Sequence, residues 1–225
     1  MVGATDVTIC VSEAEAETLK REVPDARTVV ISNAHEVAAE LPPPRSRDGL
    51  LFVGDFIHTP NTDAARYLVD EIMPLVWTEA PDAVLRIIGN GAEEKVGLSA
   101  DERIVIEGWV EDLEGYMDRA RVNVAPLRYG AGVKGKITHS LARGLPVVTT
   151  AVGAEGLHAT SGRDLLVADE AEELARETVR LITDDELWAA VSQSGLALAA
   201  RRFSPDRVAE VMRTLLEPAR AGVGR

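Results

Sequence analysis

Short apolar runs alternate with amphipathic stretches along most of the chain. Runs bounded by glycine or polar residues predict β-strands at 50–53, 84–88, 104–106, 122–126, 145–149 and 164–167. Between them, apolar residues recur every three or four positions, as in Ala65, Leu68 and Ile72, and this spacing predicts helices. Pro74 is expected to kink or end the first of these helices. The alternation predicts an α/β fold with a doubly wound, Rossmann-like parallel sheet.

Elements are also predicted on both sides of this central pattern. The N-terminal ones are a strand at 6–12, a helix that begins at a Ser12-to-Glu15 capping box, and a strand at 28–31. The proline-rich segment 40–48 predicts an extended spacer. After the last strand we expect amphipathic helices, one of them beginning at a second capping box from Thr183 to Glu186.

The stretch from Val122 to Leu157 contains the strongest chemical signal. It predicts a βαβ unit whose loops lie at the carboxyl edge of the sheet, where open α/β sheets bind ligands. Gly130 and Gly132 allow backbone N–H groups to approach an anion, and the helix that follows has a partly positive N-terminus. Lys134 and Lys136 add full charges. The predicted ligand is a phosphate or diphosphate, and the alternative is a glycine turn whose lysines are merely solvated.

Other loops at the same predicted edge contain fewer candidate phosphate-binding residues. Arg128 ranks above His58 as a phosphate partner, because a guanidinium can donate two parallel hydrogen bonds. The turn at Gly89, Asn90 and Gly91 is similar to a dinucleotide fingerprint, but Glu94 occupies the third glycine position. A nicotinamide-dependent dehydrogenase is therefore disfavoured.

Composition and charge argue against several classes of function. The net charge of -13 argues against broad binding of nucleic acid or of an anionic membrane surface. The single cysteine, Cys10, excludes an intramolecular disulfide and fits a cytoplasmic location. No apolar run reaches the length of a membrane span. We find no metal-ligand cluster, paired acids or Ser/His/Asp set with convincing spacing, so we expect neither a metal nor another cofactor.

The central stretch resembles the donor-binding region of the retaining group 1 (family 4-like) glycosyltransferases, which have a two-domain B-type fold. The matching motifs are GVKGK at 132–136, HSLA at 139–142, GLPVVTT at 144–150 and GAEGL at 153–157. The resemblance implies that the chain is the C-terminal half of such a fold. It also implies that this half binds a nucleotide-diphosphate sugar whose glycosyl group is transferred, with retention of configuration, to an unidentified acceptor.

The resemblance also implies a division of the chain. It assigns the tail of an N-terminal, acceptor-side domain to residues 1–39, a linker to 40–48, the donor-binding domain to 49–200, and a C-terminal helix and tail to 201–225. The rest of the acceptor-side domain would then be supplied in cis or in trans. The chain alone is expected to be inactive, as a fragment or half of an enzyme.

Site residues follow from the loop chemistry and the resemblance together. The diphosphate is expected at Arg128, Gly130, Gly132, Val133, Lys134 and Lys136. The nucleotide and ribose are expected at Gly54, Gly89, Asn90, Trp109, Val110 and His139, and the sugar-side loop at Gly153 and Glu155. The family binds the base through main-chain groups near Trp109, so we interpret the indole itself as a packing group. Glu155 is as consistent with a solvated loop acid as with a hydroxyl ligand.

Several positions depart from the broad family pattern. Its two glutamates fall at Ala131 and His139, and the latter is the candidate replacement for the second of them. Its usual arginine and lysine fall at Asp55 and Pro60. A family subset instead has a Gly-x-Gly-x-Lys-x-Lys loop, which this chain matches at 130–136. His139 could hydrogen-bond a hydroxyl or simply face the helix surface.

Three functions remain open at this point. The first is the donor-binding portion of a glycosyltransferase. The second is a non-catalytic or degenerate nucleotide-sugar-binding module that acts through a partner, which the missing carboxylates favour. The third is an unrelated phosphate-binding α/β protein, which would need an acid/base set that the sequence does not display.

Overall fold

The computed structural model describes residues 5–41, 43–97 and 101–220, with the side chains described as far as residue 216. A small N-terminal unit comprises strand β1 (Thr8–Cys10), helix α1 (Glu13–Glu22) and strand β2 (Thr28–Val30), and the two strands pair in parallel. The Ser12 hydroxyl accepts a hydrogen bond from the Glu15 backbone N–H at 3.2 Å, which confirms the predicted helix start.

The predicted doubly wound parallel sheet is confirmed. Its strands are β3 (Leu50–Val53), β4 (Leu85–Ile88), β5 (Ile104–Glu107), β6 (Val122–Ala125), β7 (Val147–Thr149) and β8 (Leu166–Val167). Their order across the sheet is β5-β4-β3-β6-β7-β8, with every pairing parallel. The chain builds outward from β3 in one direction and from β6 in the other. The junction between β3 and β6 is therefore the topological switch point, where such sheets bind ligands.

Helices cover both faces of this sheet. They are α2 (Thr59–Tyr67), α3 (Met73–Glu79), α4 (Ala92–Val96), α5 (Leu113–Arg119), α6 (Gly135–Ala142), α7 (Ala151–Ala154), α8 (Ala171–Thr183), α9 (Asp185–Arg202) and α10 (Pro205–Arg220). Successive strand residues point to opposite faces. Leu50 and Phe52 accordingly pack with the cluster that contains α2, α3 and α8, whereas Leu51 packs with α5 on the other face. Helices α6 and α9 pack beside α5 on that second face, against Ala125 and Val147.

Pro74 does not end the helix in which it lies. Helical structure continues from α2 through a π turn (Leu68–Ile72) into α3, where Pro74 is near the first position. The Met73 N–H donates to the Leu68 carbonyl, five residues back. A proline lacks an N–H and cannot complete the regular ladder, and the wider turn just before it changes the hydrogen-bond register.

The second predicted capping box is wrong. Thr183 is the last residue of α8, and its hydroxyl donates to the Val179 carbonyl at 2.9 Å. Asp184 is the N-cap of α9 instead, and its carboxylate accepts from the N–H groups of Glu186 and Leu187. The two helices follow each other so closely that the next residue, with a stronger acceptor, takes the capping position.

Two sets of polar contacts attach the preceding segments to the large sheet unit. The Arg47 guanidinium is buried and donates to the carbonyl groups of Met117 and Arg143, both at 2.9 Å. Glu13 of α1 lies 2.8 Å from the Arg202 guanidinium and 3.0 Å from Nε2 of His158. The N-terminal unit is therefore connected to the larger one through a carboxylate placed between two basic side chains.

Candidate functional site

The predicted site residues all lie at one edge of the sheet. Since the strands are parallel, the segments that follow them meet at the carboxyl edge. Gly54 follows β3, Gly89 and Asn90 follow β4, and Trp109 and Val110 follow β5. Arg128 to Lys134 follow β6 and lead into α6, which contains Lys136 and His139. Gly153 and Glu155 come after β7. The structure thus brings together segments that are far apart in the sequence.

Lys134 organises the glycine loop before α6. Its ammonium donates to the Gly132 carbonyl at 2.5 Å and to the Gly130 carbonyl at 3.2 Å. Gly130 and Gly132 have φ of 124° and 77°, values that favour glycine. The same ammonium lies 3.5 Å from the Glu155 carboxylate. Lys134 is therefore the N-cap residue of α6 and also the cation that holds this loop in shape.

Lys136 is a partly buried cation in the first turn of α6. Its ammonium donates to the Asn61 side-chain oxygen and lies 4.7 Å from the centre of the Phe52 ring. Burial, and secondarily repulsion from Lys134, lowers the pKa of Lys136 to about 7. No carboxylate in the described parts of the chain forms an ion pair with it. An anionic ligand bound beside Lys136 would neutralise this unpaired charge.

Gly54 and Gly89 allow two backbone segments to approach each other. A Cβ on Gly89 would lie 1.6 Å from the Gly54 carbonyl oxygen, and one on Gly54 would lie 3.0 Å from Cβ of Asn61. Close packing alone therefore explains why both positions are glycine, whether or not a nucleotide binds. Their close approach places Asn61, the partner of Lys136, against the end of β3. The side chain of Asn90, between Gly89 and Gly91, is exposed.

His139 belongs to a polar cluster between α5 and α6. Its ring stacks on His35, with centroids 4.6 Å apart and planes 8° from parallel. Its Nε2 lies 3.5 Å from Glu114, whose second oxygen lies 3.3 Å from Arg143. His35 is 2.9 Å from the Thr138 hydroxyl, and burial, together with His139, lowers the pKa of His35 to about 4. Neither His35 nor Glu114 lies in a sequence motif, so neither is predicted as a site residue from the sequence.

Three other predicted residues have structural roles within the protein. Both Nε and a terminal nitrogen of Arg128 donate to the Asp63 carboxylate, at 2.9 and 2.5 Å. The bidentate fork that made Arg128 a phosphate candidate is thus directed at Asp63. Gly153 lies in α7, where a Cβ would come within 1.9 Å of the Thr149 hydroxyl. Glu155 is half-exposed and pairs with Lys134.

Trp109 and Val110 differ sharply in burial. Val110 packs against the cluster formed by Leu51, Ile88 and Met117. Trp109 is 74% exposed, so the interpretation of its indole as a packing group is wrong. Its neighbour Val110 occupies the available apolar site, and the indole is left at the surface of the carboxyl edge.

Two further properties concern the described portion of the chain as a whole. Within residues 5–41, 43–97 and 101–220, no group of three or more His, Cys, Asp or Glu residues could hold a metal ion. None of the helices in those ranges is both long enough and apolar enough to cross a membrane.

Comparison with known proteins gives consistent matches. The sequence model described as "Glycosyl transferases group 1" matches residues 47–184. A protein of Klebsiella pneumoniae, named "Uncharacterized 44.6 kDa protein in cps region", is 28% identical over an alignment of 133 residues, which covers 54% of this chain and 34% of that protein.

Solved structures share the fold at low sequence identity. Sucrose-phosphate synthase from Thermosynechococcus elongatus is 19% identical with a TM-score of 0.74, over 98% of this chain and 60% of that one. S. aureus TarM, as a point mutant in a complex that contains UDP, is 15% identical with a TM-score of 0.72, over 95% of this chain and 44% of TarM. Anabaena HepE with UDP and glucose is 16% identical with a TM-score of 0.71, over 93% of this chain and 63% of HepE. The chain spans about half the length of these proteins.

Proposed function

Because the chain belongs to the family of group 1 glycosyl transferases, we propose that it forms the donor-binding portion of such an enzyme. In this proposal it binds a nucleotide-diphosphate sugar, whose glycosyl group passes to an acceptor. The observation that supports the proposal most directly is Lys136, a partly buried lysine in the first turn of α6, at the carboxyl edge of the sheet. Its only close polar partner among the described residues is a neutral amide.

The chemistry of glycosyl transfer matches this arrangement. When the bond between the anomeric carbon and the diphosphate oxygen breaks, negative charge develops on the leaving nucleoside diphosphate. Lys136, together with the free N–H groups at the start of α6, would stabilise that charge without being rearranged. Lys134 would contribute both by its own charge and by holding Gly130 and Gly132 in their conformation. The protein's part is electrostatic rather than covalent.

The nucleotide to test first is UDP. Structures that share this fold contain it, among them TarM, HepE and the pneumococcal O-GlcNAc transferase GtfA. The Klebsiella relative is named for a cps region, which favours a role in glycan synthesis for this chain as well.

Full activity in this proposal also requires an acceptor-side domain, in cis or in trans. The chain covers 44 to 63% of the length of the B-type enzymes compared above. In the small N-terminal unit, Ile9 of β1 is 52% exposed and Val11, just after β1, is 43% exposed. Strands in parallel sheets are usually covered on both faces, so these apolar side chains support an additional layer at this end of the molecule.

A second candidate is a non-catalytic nucleotide-sugar-binding module that acts through a partner. The resemblance places carboxylates at two positions where this chain has Ala131 and His139. Ala131 is exposed and has no polar side chain to offer. At the second position a carboxylate from another helix, that of Glu114, lies 3.5 Å from Nε2 of His139. A site that binds the donor but lacks the first carboxylate could hold the ligand without catalysing transfer.

Calorimetric titration tests the donor site. The protein is titrated with UDP, GDP and ADP and with their glucose conjugates, in the presence of EDTA because no metal is expected. We expect micromolar binding of one nucleotide, weakened at least about tenfold by Lys136→Met, which removes a charge-assisted contact of about 1.5–3 kcal/mol. The matched control is Lys95→Met, since Lys95 is half-exposed and pairs with neighbouring Glu94. Equal binding by the Lys136 variant and the control would refute the assignment.

Release of free nucleotide from the donor separates the two candidates. An enzyme combined with its acceptor-side domain and an acceptor releases the nucleoside diphosphate faster than the donor hydrolyses alone. A binding module shows calorimetric binding with no increase in release under the same conditions.

A further inference from the structure

Asn61 connects the segment after β3 to the lysine of α6. Its side-chain oxygen accepts a hydrogen bond from the Lys136 ammonium, and its side-chain nitrogen donates to the Asp55 carbonyl at 2.7 Å. An amide has one accepting end and one donating end, so both contacts require the same orientation of the group. A rotated amide would place its nitrogen against the ammonium and its oxygen against the carbonyl. The contact with Asp55 therefore directs the amide oxygen at Lys136.

Close packing fixes the position of this amide. Asn61 lies in the first turn of α2, and its backbone N–H donates to the His58 carbonyl at 3.0 Å. A Cβ added to Gly54 would lie 3.0 Å from Cβ of Asn61 and 3.2 Å from the Phe52 ring, so the backbone after β3 lies directly against both side chains. The centre of the Phe52 ring is 4.7 Å from the Lys136 ammonium. The ammonium thus contacts an aromatic ring and an amide, both of which are uncharged.

The carboxylates of the surrounding segments bind other groups. Their partners are the Ile57 N–H for Asp55, the Arg128 guanidinium for Asp63 and the Lys134 ammonium for Glu155. Lys134 also lies two positions before Lys136 and adds positive charge beside it. A lysine in an ion pair would have to give up its partner before it could bind an anion. Among the described residues Lys136 has a neutral partner instead, so its charge remains available.

We propose that Asn61 is a positioning residue of the donor site, an inference that rests on the proposed function. It holds the Lys136 ammonium at the carboxyl edge through an uncharged oxygen, so the positive charge is placed there without being neutralised. An aspartate has the same shape as asparagine but would form an ion pair with the lysine. An alanine would leave the ammonium without this contact. The amide therefore favours binding of an anion such as a diphosphate beside Lys136.

The first test is an NMR titration of Lys136 without ligand. The chain has four lysines, so ¹³C-labelled lysine gives few signals, and Lys136→Met identifies the signal of Lys136. Asn61→Asp is expected to raise the midpoint of this titration by about 1–3 pH units, because a neighbouring carboxylate favours the protonated lysine. The matched control is Thr62→Ala, since Thr62 follows Asn61 in α2 and its hydroxyl donates to the Phe56 carbonyl at 3.4 Å. The control should leave the midpoint unchanged.

The second test is calorimetric titration with inorganic diphosphate at pH 6 and pH 8. Because the pKa of Lys136 is lowered to about 7, the unaltered protein should lose about tenfold in affinity between these two pH values through this proton. Asn61→Asp keeps more of the proton and should lose no more than about twofold. At pH 6, where both proteins are protonated at Lys136, the variant should bind at least about tenfold more weakly. Protonation of the ligand is common to both proteins and cancels in the ratio.

Asn61→Ala keeps the test decisive if the added carboxylate prevents folding. It should weaken diphosphate binding about three- to tenfold at pH 6, whereas Thr62→Ala should leave it unchanged. Full affinity in Asn61→Ala, or an unchanged Lys136 midpoint in Asn61→Asp, would overturn the inference while the proposed function stands. An equal loss of affinity in Asn61→Asp at pH 6 and pH 8 would also overturn it, because the effect would then be structural. If the unaltered protein binds neither inorganic diphosphate nor a nucleoside diphosphate, the proposed function fails and the inference fails with it.

Discussion

Replacing Lys136 by methionine should stabilise the protein while weakening anion binding. Methionine has an unbranched chain of similar length but no charge. Burial lowers the pKa of Lys136 from 10.5 to about 7, which corresponds to about 5 kcal/mol at 1.36 kcal/mol per pH unit. The variant loses the hydrogen bond to Asn61 and the contact with the Phe52 ring, worth together about 2 kcal/mol. We therefore expect a net gain of about 3 kcal/mol in the free energy of unfolding below pH 7.

The gain in the free energy of unfolding from Lys136→Met should decrease as the pH rises. Between about pH 7 and pH 10.5 the unfolded chain keeps the Lys136 proton and the folded protein does not. The contribution of Lys136 to the stability of the unaltered protein therefore becomes more favourable as the pH rises across this window. The cost of the buried charge is complete below pH 7 and absent above pH 10.5. The advantage of Lys136→Met should accordingly be largest near pH 6 and shrink steadily towards pH 10.

Urea unfolding at pH 6, 7, 8 and 9 measures this advantage directly. Other titrating groups are shared by both proteins and cancel in the difference. Lys95→Met, at a half-exposed lysine, serves as the control and should show a small difference that does not vary with pH. A difference for Lys136→Met that is the same at pH 6 and pH 9 would refute the reasoning, because it would mean that Lys136 titrates alike in both states.

Ligand binding supplies a complementary measurement of the same proton. A bound diphosphate restores the charge of Lys136, so binding takes up about 0.9 proton at pH 8 and about 0.1 proton at pH 6 if the free pKa is about 7. Calorimetry in buffers with different ionisation enthalpies gives this number. Binding without proton uptake at pH 8 would contradict the assignment of Lys136 to the ligand.

Two further substitutions test structural contacts, one between strand ends of the large sheet and one between the N-terminal unit and the large unit. Gly89→Ala should cost at least about 3 kcal/mol in thermal unfolding, because its Cβ would meet the Gly54 carbonyl at 1.6 Å. Gly97 also has a positive φ, of 88°, but among the described residues no atom lies within 4 Å of an added Cβ, so a comparable loss in Gly97→Ala would assign the effect to backbone strain instead. Glu13→Gln should make residues 5–30 more sensitive to trypsin, because it weakens the contacts with Arg202 and His158. The control Glu17→Gln, at an exposed residue of the same helix, should leave the cleavage rate unchanged, and equal rates in both variants would contradict the attachment.

The predictable features are those encoded by neighbouring residues. The predicted strand over 50–53 matches β3, and the other predicted strands of the large sheet overlap the observed ones, because alternation and glycine boundaries are local signals. The anion-binding chemistry of the loop at 130–136 could also be predicted from the sequence, because three glycines and two lysines lie within seven residues. The start of α1 followed from Ser12 and Glu15 alone.

The remaining contacts depend on how distant segments meet. Asn61 and Lys136 are 75 positions apart, and no local pattern connects them. The pairing of Arg128 with Asp63, and the stacking of His139 on His35, likewise depend on which helices become neighbours. Trp109 shows a related difficulty. A tryptophan followed by valine leaves open which of the two enters the core, and only the path of the backbone into α5 decides it.

The junction between β3 and β6 has a consequence for how the protein folds. Each half of the sheet is built from strands that follow one another in the chain, whereas β3 and β6 pair through Leu50 with Val122 and Leu51 with Asn123. Bringing such distant segments together is slow, because loop-closure entropy must be overcome first. Lys136 and Asn61 belong to opposite halves, so each half can acquire secondary structure before their contact exists. Recovery of ligand binding during refolding should therefore lag behind recovery of helical circular dichroism.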